Sequence, residues 1–154
     1  MAWFEGFDKQ TLSVQGLPVT FRRSVDWQSA KPVLVLLHGF PQTHVMWHRV
    51  AHQLRDRYRI VMPDLRGYGD SSREVGDAEH AHYSKRAMAQ EVIDLLDLLG
   101  VQDFFLCGHD RGGRVAHRLA LDHPQRVKKL CVIDIAPTLD MYSGHWGKTP
   151  PVSG

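Results

Sequence analysis

The 154-residue chain is 43% hydrophobic, which predicts one globular domain, or part of one, with a buried core. Nineteen Lys and Arg against seventeen Asp and Glu leave a net charge of +2 without a basic tract, which argues against a nucleic-acid partner. We see no signal peptide and no apolar run of membrane-spanning length, so we expect a cytoplasmic protein with no membrane contact.

The first half of the chain is predicted to form a hairpin followed by alternating strands and helices. Residues 11–15 and 19–24 have strand character and flank a turn at 16–18. The run VLVLL at 33–37 is typical of a parallel strand covered on both faces, and helical spacing follows through Trp47, Val50 and Leu54. Residues 59–62 are predicted to form the next strand.

The second half continues the same alternation. Ser84 is a predicted cap for a helix with apolar positions up to Leu99 and a stop at Gly100. Residues 104–107 and 127–135 are predicted as buried strands, with a helix over 113–122 between them. The two cysteines lie inside these apolar runs, so we do not expect a disulfide framework.

The element order βαβαβαβ predicts an α/β fold, with a mostly parallel sheet and helices on both faces. Residues 1–142 are assigned to this domain and residues 143–154, rich in Gly, Pro and Ser, to an irregular tail. A sheet that ends at the 127–135 strand would expose a long apolar edge. Such an edge favours association, for example as a homo-oligomer, unless another chain covers it.

The most specific motif is GHDRGG at 108–113, which has the GxSxG spacing of a nucleophile elbow with Asp110 in place of serine. It lies between a predicted strand and a predicted helix, so the Asp110 side chain would project near the helix N-terminus, where amides favour an anion. The alternative is an ordinary helix-capping aspartate in a glycine-rich turn. Phosphate-loop and dinucleotide motifs do not match.

Three further segments follow predicted strands, where the chemistry of α/β sheets gathers. The sequence HGFP at 38–41 stands where an oxyanion-hole amide is expected, at Phe40. Residues 64–72 contain two glycines and are interpreted as a structural loop. Asp134 ends the last strand and is a candidate for orienting a catalytic histidine, although such a residue is more often a turn or cap.

Together these motifs resemble the α/β-hydrolase fold family, in its branch with an aspartate nucleophile, and are most similar to haloacetate (fluoroacetate) dehalogenases. The resemblance covers residues 7–142 and is densest at HGFPQT (38–43), 64–72 and GHDRGGRVAHRLA (108–120). It implies the N-terminal part of a hydrolase core, without the cap domain and last strands. Arg111 stands where haloalkane dehalogenases and many epoxide hydrolases have Trp.

The resemblance implies hydrolysis of a small-molecule haloacid with no metal and no cofactor. Asp110 would displace halide to form an ester, with Arg111 and Arg114 binding the substrate carboxylate. The alternative for Arg114 is a solvated charge on the helix surface. A histidine oriented by Asp134 would then activate water, and backbone amides near Phe40 and Arg111 would form the oxyanion hole. For haloacetate the products are glycolate and halide.

The chain departs from the family pattern because the late catalytic histidine and the cap helices are missing, so we interpret it as a C-terminally truncated member. His145 and Trp146 resemble the halide-binding pair of such caps, although they lie closer to Asp134 than expected. Two other functions stay open, namely an epoxide hydrolase and a catalytically silent remnant of the fold.

A metal site is a separate alternative. His44, His48 and His52 recur every four residues, a spacing that would place them on one helical face. A nearby Cys or carboxylate set to complete the shell is not evident, and the same stretch fits the first helix of the fold. The sequence therefore favours no metal.

Overall fold

The computed structural model describes residues 3–69, 71 and 84–134. These residues form one six-stranded sheet in the order β1-β2-β4-β3-β5-β6. The elements are β1 (Phe7–Val14), β2 (Leu17–Ser24), β3 (Val33–Leu37), α1 (His48–Leu54), β4 (Arg59–Pro63), α2 (Lys85–Leu98), β5 (Phe104–His109), α3 (Arg111–Asp122) and β6 (Val127–Ile133). In the described part of the chain, no helix has the length and apolarity needed to cross a membrane.

The predicted N-terminal hairpin is confirmed and its strands are longer than expected. β1 and β2 pair antiparallel, and Gln15 and Gly16 make the turn with φ angles of 54° and 80°. Pro18 lies within β2 instead of in the turn. It is tolerated there because β4 pairs with β2 only at residues 21–23, so no ladder hydrogen bond from position 18 to β4 is needed.

The parallel part of the sheet, β4-β3-β5-β6, confirms the predicted alternation of strands and helices. All five residues of β3 are buried, as a central strand covered on both faces requires. One face packs against the 3-10 helix His44–Trp47 and α1 through Trp47 and Ala51. The opposite face packs against α2 and α3.

The helix boundaries follow the predicted local signals with one difference. The Ser84 hydroxyl accepts a hydrogen bond from the Ala87 amide at 3.1 Å, and Gly100 follows α2 with φ of 75°. The third helix begins at Arg111 and not at residue 113, because the chain turns from strand to helix within a single residue, Asp110.

The prediction of a buried last strand is wrong for the residues described. β6 pairs with β5 along one edge, and no described strand pairs with its other edge. Leu130 and Ile133 are 37% and 41% exposed, and Cys131 is exposed as well. Cys107 and Cys131 are both free thiols. β6 thus exposes apolar side chains of a kind that is usually buried. Burial of this strand against another copy of the chain stays a prediction.

Buried polar contacts anchor the loop after β4, in agreement with its interpretation as a structural loop. The Ser71 hydroxyl donates to the Asp64 carbonyl at 2.7 Å, and the Arg66 Nε donates to Glu91 of α2 at 2.8 Å. Arg66 and Glu91 are both buried, so neither charge is left alone in the interior. Asp70 and Ser72 lie outside the described residues, as does the predicted tail at 143–154.

Candidate active site

Asp110 occupies the sharp turn between β5 and α3. Its φ and ψ are 52° and −117°, a conformation that costs energy for any residue with a side chain. The close approach of α3 to β3 requires a glycine at position 112. A Cβ atom placed there would collide with the backbone carbonyl oxygens of Leu37 and His38. Gly112 therefore lets the helix start directly behind the end of β3.

The Asp110 carboxylate faces the neighbouring loop and does not cap α3, so the helix-capping alternative is wrong. Its Oδ2 accepts a hydrogen bond from the Phe40 amide at 3.1 Å. Burial opposes ionisation of this carboxyl. The hydrogen bonds from the Arg111 and Phe40 amides, with the charges of His109 and Arg111, outweigh burial and lower its pKa. Asp110 is therefore anionic at neutral pH, as a carboxylate nucleophile must be.

The loop after β3 brings the Phe40 amide to Asp110. Gly39 makes this possible, since a Cβ atom on it would lie 2.6 Å from the Cβ of Asp110. The Phe40 ring is 57% exposed, and the edge of the Tyr68 ring approaches it with centroids 6.3 Å apart. The Phe40 amide thus lies beside Asp110, while its role in an oxyanion hole stays a prediction.

Arg111 lies across this loop and is held by two aromatic side chains. Its guanidinium carbon is 4.9 Å from the centroid of the Phe40 ring, and its NH1 donates to the Tyr68 hydroxyl at 2.9 Å. The sequence does not single out Tyr68, because its segment, 64–72, has the pattern of a structural loop. The sequence feature that could have indicated Tyr68 is the position of its segment after a parallel strand, where functional groups of α/β sheets are concentrated.

Arg114 and Lys85 add further positive charge to the Asp110 neighbourhood. Lys85 is the first residue of α2 and is half-buried. Burial lowers the pKa of its ammonium group, the charges of Arg111 and Arg114 lower it further, and Asp110 opposes these effects. Lys85 therefore interacts electrostatically with Asp110 and with both arginines, and such a group of cations attracts small anions. Lys85 was missed because nothing local in the sequence relates it to the elbow.

Asp134 lies at the end of β6, on the strand next to the one that leads to Asp110. Its side chain is 81% exposed, and its Oδ2 lies 3.6 Å from the Nε2 of His109. The Nδ1 of His109 is buried and has no hydrogen-bond partner among the described residues. His145 and Trp146 fall outside the described residues, so their predicted contact with halide stays a prediction.

Two of the three histidines of the alternative metal site, His44 and His48, have other partners. His44 is hydrogen bonded to Asp64 and Arg22, and His48 stacks on Trp3 with ring centroids 4.4 Å apart. Within residues 3–69, 71 and 84–134, no group of three or more His, Cys, Asp or Glu side chains is arranged to hold a metal ion. The described geometry therefore gives the metal alternative no support.

Comparisons with known proteins agree with this geometry. Residues 32–152 match the family model of the alpha/beta hydrolase fold. The chain is 50% identical over 139 residues to a fluoroacetate dehalogenase of Burkholderia sp, covering 90% of this chain and 44% of that protein. It is 39% identical over 106 residues to a soluble epoxide hydrolase of Corynebacterium sp. (strain C12), covering 69% of this chain and 35% of that protein.

A solved α/β-hydrolase-fold structure from Nostoc sp PCC 7120 superposes with a TM-score of 0.84 at 47% identity, covering 91% of this chain and 47% of that one. The chain thus spans less than half the length of these relatives. The sheet order, the strained turn at Asp110 and the family match agree with one another. This chain belongs to the alpha/beta hydrolase fold family.

Proposed function

We propose that this chain carries the nucleophile of a haloacid dehalogenase, with Asp110 attacking the halogen-bearing carbon of a small substrate such as haloacetate. The observation that carries the proposal is an ionised carboxylate on a strained elbow that interacts with the charges of Arg111 and Lys85, while Arg114 lies one helical turn after it. An anionic nucleophile repels an anionic substrate, so cations that hold the substrate carboxylate are needed. The similarity to a fluoroacetate dehalogenase supports this substrate class.

In the first step the substrate carboxylate pairs with Arg111 and Arg114. One oxygen of Asp110 then bonds to the halogen-bearing carbon next to that carboxylate. The carbon–halogen bond breaks, and its electron pair leaves with the halide. Water then adds to the carbonyl of the resulting ester, and the Phe40 and Arg111 amides stabilise the oxyanion. This second step needs a general base, for which Asp134 would orient a histidine. Collapse breaks the bond between the Asp110 carbonyl carbon and the substrate oxygen, which takes the proton that the base removed from water. The hydroxy acid leaves, and Asp110 returns to its carboxylate by losing the second water proton to solvent.

The test is to incubate the chain with chloroacetate or fluoroacetate and follow free halide together with intact mass. Attack predicts one carboxymethyl adduct per chain, mapped to Asp110 by peptide analysis and distinguished there from alkylation of the exposed Cys131. Halide release beyond one equivalent would establish turnover, whereas one equivalent with a trapped adduct would establish attack without hydrolysis. Absence of both halide and adduct would contradict the proposal.

Epoxide hydrolysis is the second candidate, because the same carboxylate attack opens an epoxide ring. It is favoured by the 39% identity to a soluble epoxide hydrolase. Arg111 argues for a substrate that bears a carboxylate. Diol formation from neutral epoxides, without halide release from haloacetates, would select this alternative.

Replacing Arg111 by Met should reduce the rate of attack on fluoroacetate by about 10- to 100-fold, since a charged hydrogen bond contributes about 1.5–3 kcal/mol. The rate with fluoroacetamide, which lacks the carboxylate, should change much less. Single-turnover adduct formation measures both rates. Arg118→Met is the control, because Arg118 lies on the same helix and pairs with Asp122 at 2.9 Å. An equal loss with both substrates would contradict carboxylate recognition by Arg111.

A further inference from the structure

Two buried histidines bracket the loop that carries the Phe40 amide. The first, His38, directly follows β3 and accepts a hydrogen bond at Nε2 from the Leu65 amide at 2.9 Å. Its Nδ1 lies 3.0 Å from the Gly39 carbonyl and must therefore be the donor. Burial lowers the pKa of His38, in keeping with a neutral ring. One end of the loop is thus fixed to the segment that follows β4.

His44 fixes the other end of the loop to the same segment. Its backbone amide donates to the Asp64 Oδ1 at 2.9 Å, and its Nδ1 lies 2.7 Å from that oxygen. Its Nε2 lies 2.9 Å from the Nε of Arg22, an atom that can only donate. The hydrogen bonds therefore assign a neutral imidazole that carries its proton on Nδ1. His44 and Asp64 are both buried, so these bonds are shielded from water.

Arg22 extends the contact to the antiparallel part of the sheet. It lies on β2, opposite Met62 of β4, and its guanidinium carbon is 4.4 Å from the centroid of the Phe4 ring. This cation–π contact limits the orientations of the side chain. The chain of contacts from Arg22 through His44 to Asp64 therefore links β2, the loop and the end of β4.

The Phe40 ring is 57% exposed, so burial of this side chain contributes little to the position of the loop. The Phe40 amide nevertheless lies 3.1 Å from the Asp110 Oδ2. We propose that His44, held as the neutral Nδ1–H tautomer between Asp64 and Arg22, is a positioning residue that keeps the Phe40 amide at Asp110. The benefit of this positioning to catalysis rests on the proposed function, while the positioning itself is measurable without substrate.

The first measurement is long-range proton–nitrogen NMR of the His44 ring at neutral pH. A protonated Nδ1 with an unprotonated Nε2 is the expected result. A proton on Nε2, in either the other tautomer or the imidazolium, would overturn the proposal, since Arg22 could not then donate to that nitrogen.

The second measurement uses two variants. His44→Asn retains a donor near the Nδ1 position and loses the acceptor for Arg22, whereas His44→Phe removes both. In His44→Phe we expect exchange of the Phe40 amide proton to accelerate about tenfold and the pKa of Asp110 to rise. His44→Asn should show the same changes at smaller size. The control His52→Asn alters an exposed histidine of α1 and should change neither quantity.

The two readouts separate positioning from general stability. Asp110 lies in another part of the chain, so a merely structural role of His44 would leave its pKa unchanged in a variant that still folds. Folded His44→Asn with an unchanged Asp110 pKa and unchanged Phe40 exchange would overturn the proposal, even if His44→Phe did not fold. Neither readout depends on halide release, so a failure of the dehalogenase proposal would be recognised separately.

Discussion

Replacing Asp110 by Asn is expected to abolish adduct formation and halide release, with a loss of at least about 10⁴-fold in rate. The amide is nearly the same size as the carboxylate, and its oxygen still accepts a hydrogen bond from the Phe40 amide. It carries no charge and is a poor nucleophile toward carbon. The substitution therefore removes the chemistry while keeping the turn in place. Free halide and intact mass with fluoroacetate measure the effect.

Asp103→Asn is the matched control. Asp103 is exposed before β5 and lies 3.7 Å from Lys128, far along the strand from the elbow. The Asp103→Asn variant should react with fluoroacetate at the rate of the unmodified protein. An Asp110→Asn variant that still forms an adduct would assign the nucleophile to another side chain, and peptide mapping would identify that side chain.

The main parts of this fold could be predicted because their signals are local. The run at 33–37 is apolar at every position, as a strand buried on both faces requires, and Ser84 and Gly100 mark the two ends of α2. The elbow at Asp110 was recognisable because glycines at fixed spacing are needed for helix and strand to approach closely. Such signals depend on residues close together in the chain.

The parts that escaped prediction depend on contacts between distant segments. Tyr68 reaches Arg111 across 43 positions of sequence, and Lys85 approaches the elbow only because α2 packs beside α3. His44 was considered as one of a helical row of histidines, whereas its hydrogen bonds connect β2 and the end of β4. The apolar sequence of β6 predicted burial, but sequence alone does not say which surface covers a strand.

Gly112→Ala should lower the free energy of unfolding by about 3 kcal/mol or more, because the added methyl group would collide with backbone atoms. The atoms are the carbonyl oxygens of Leu37 and His38, at the end of the central strand, and they cannot rotate away as a side chain could. Urea denaturation measures the change. The rate of adduct formation should fall as well, since movement of His38 displaces the loop that carries the Phe40 amide.

Whether Gly112→Ala lowers or raises the free energy of unfolding tests the close approach of α3 to β3. Gly112 lies in the first turn of α3, and Gly to Ala in an unobstructed helix usually stabilises a protein by up to about 1 kcal/mol. Gly100→Ala is the control for strain without collision. Position 100 has φ of 75° with no atom within 4 Å of the added Cβ, so a loss of only about 1 kcal/mol is expected there. If Gly112→Ala were neutral or stabilising, α3 could not begin directly behind the end of β3. The elbow would then have to be held by the glycine turn alone.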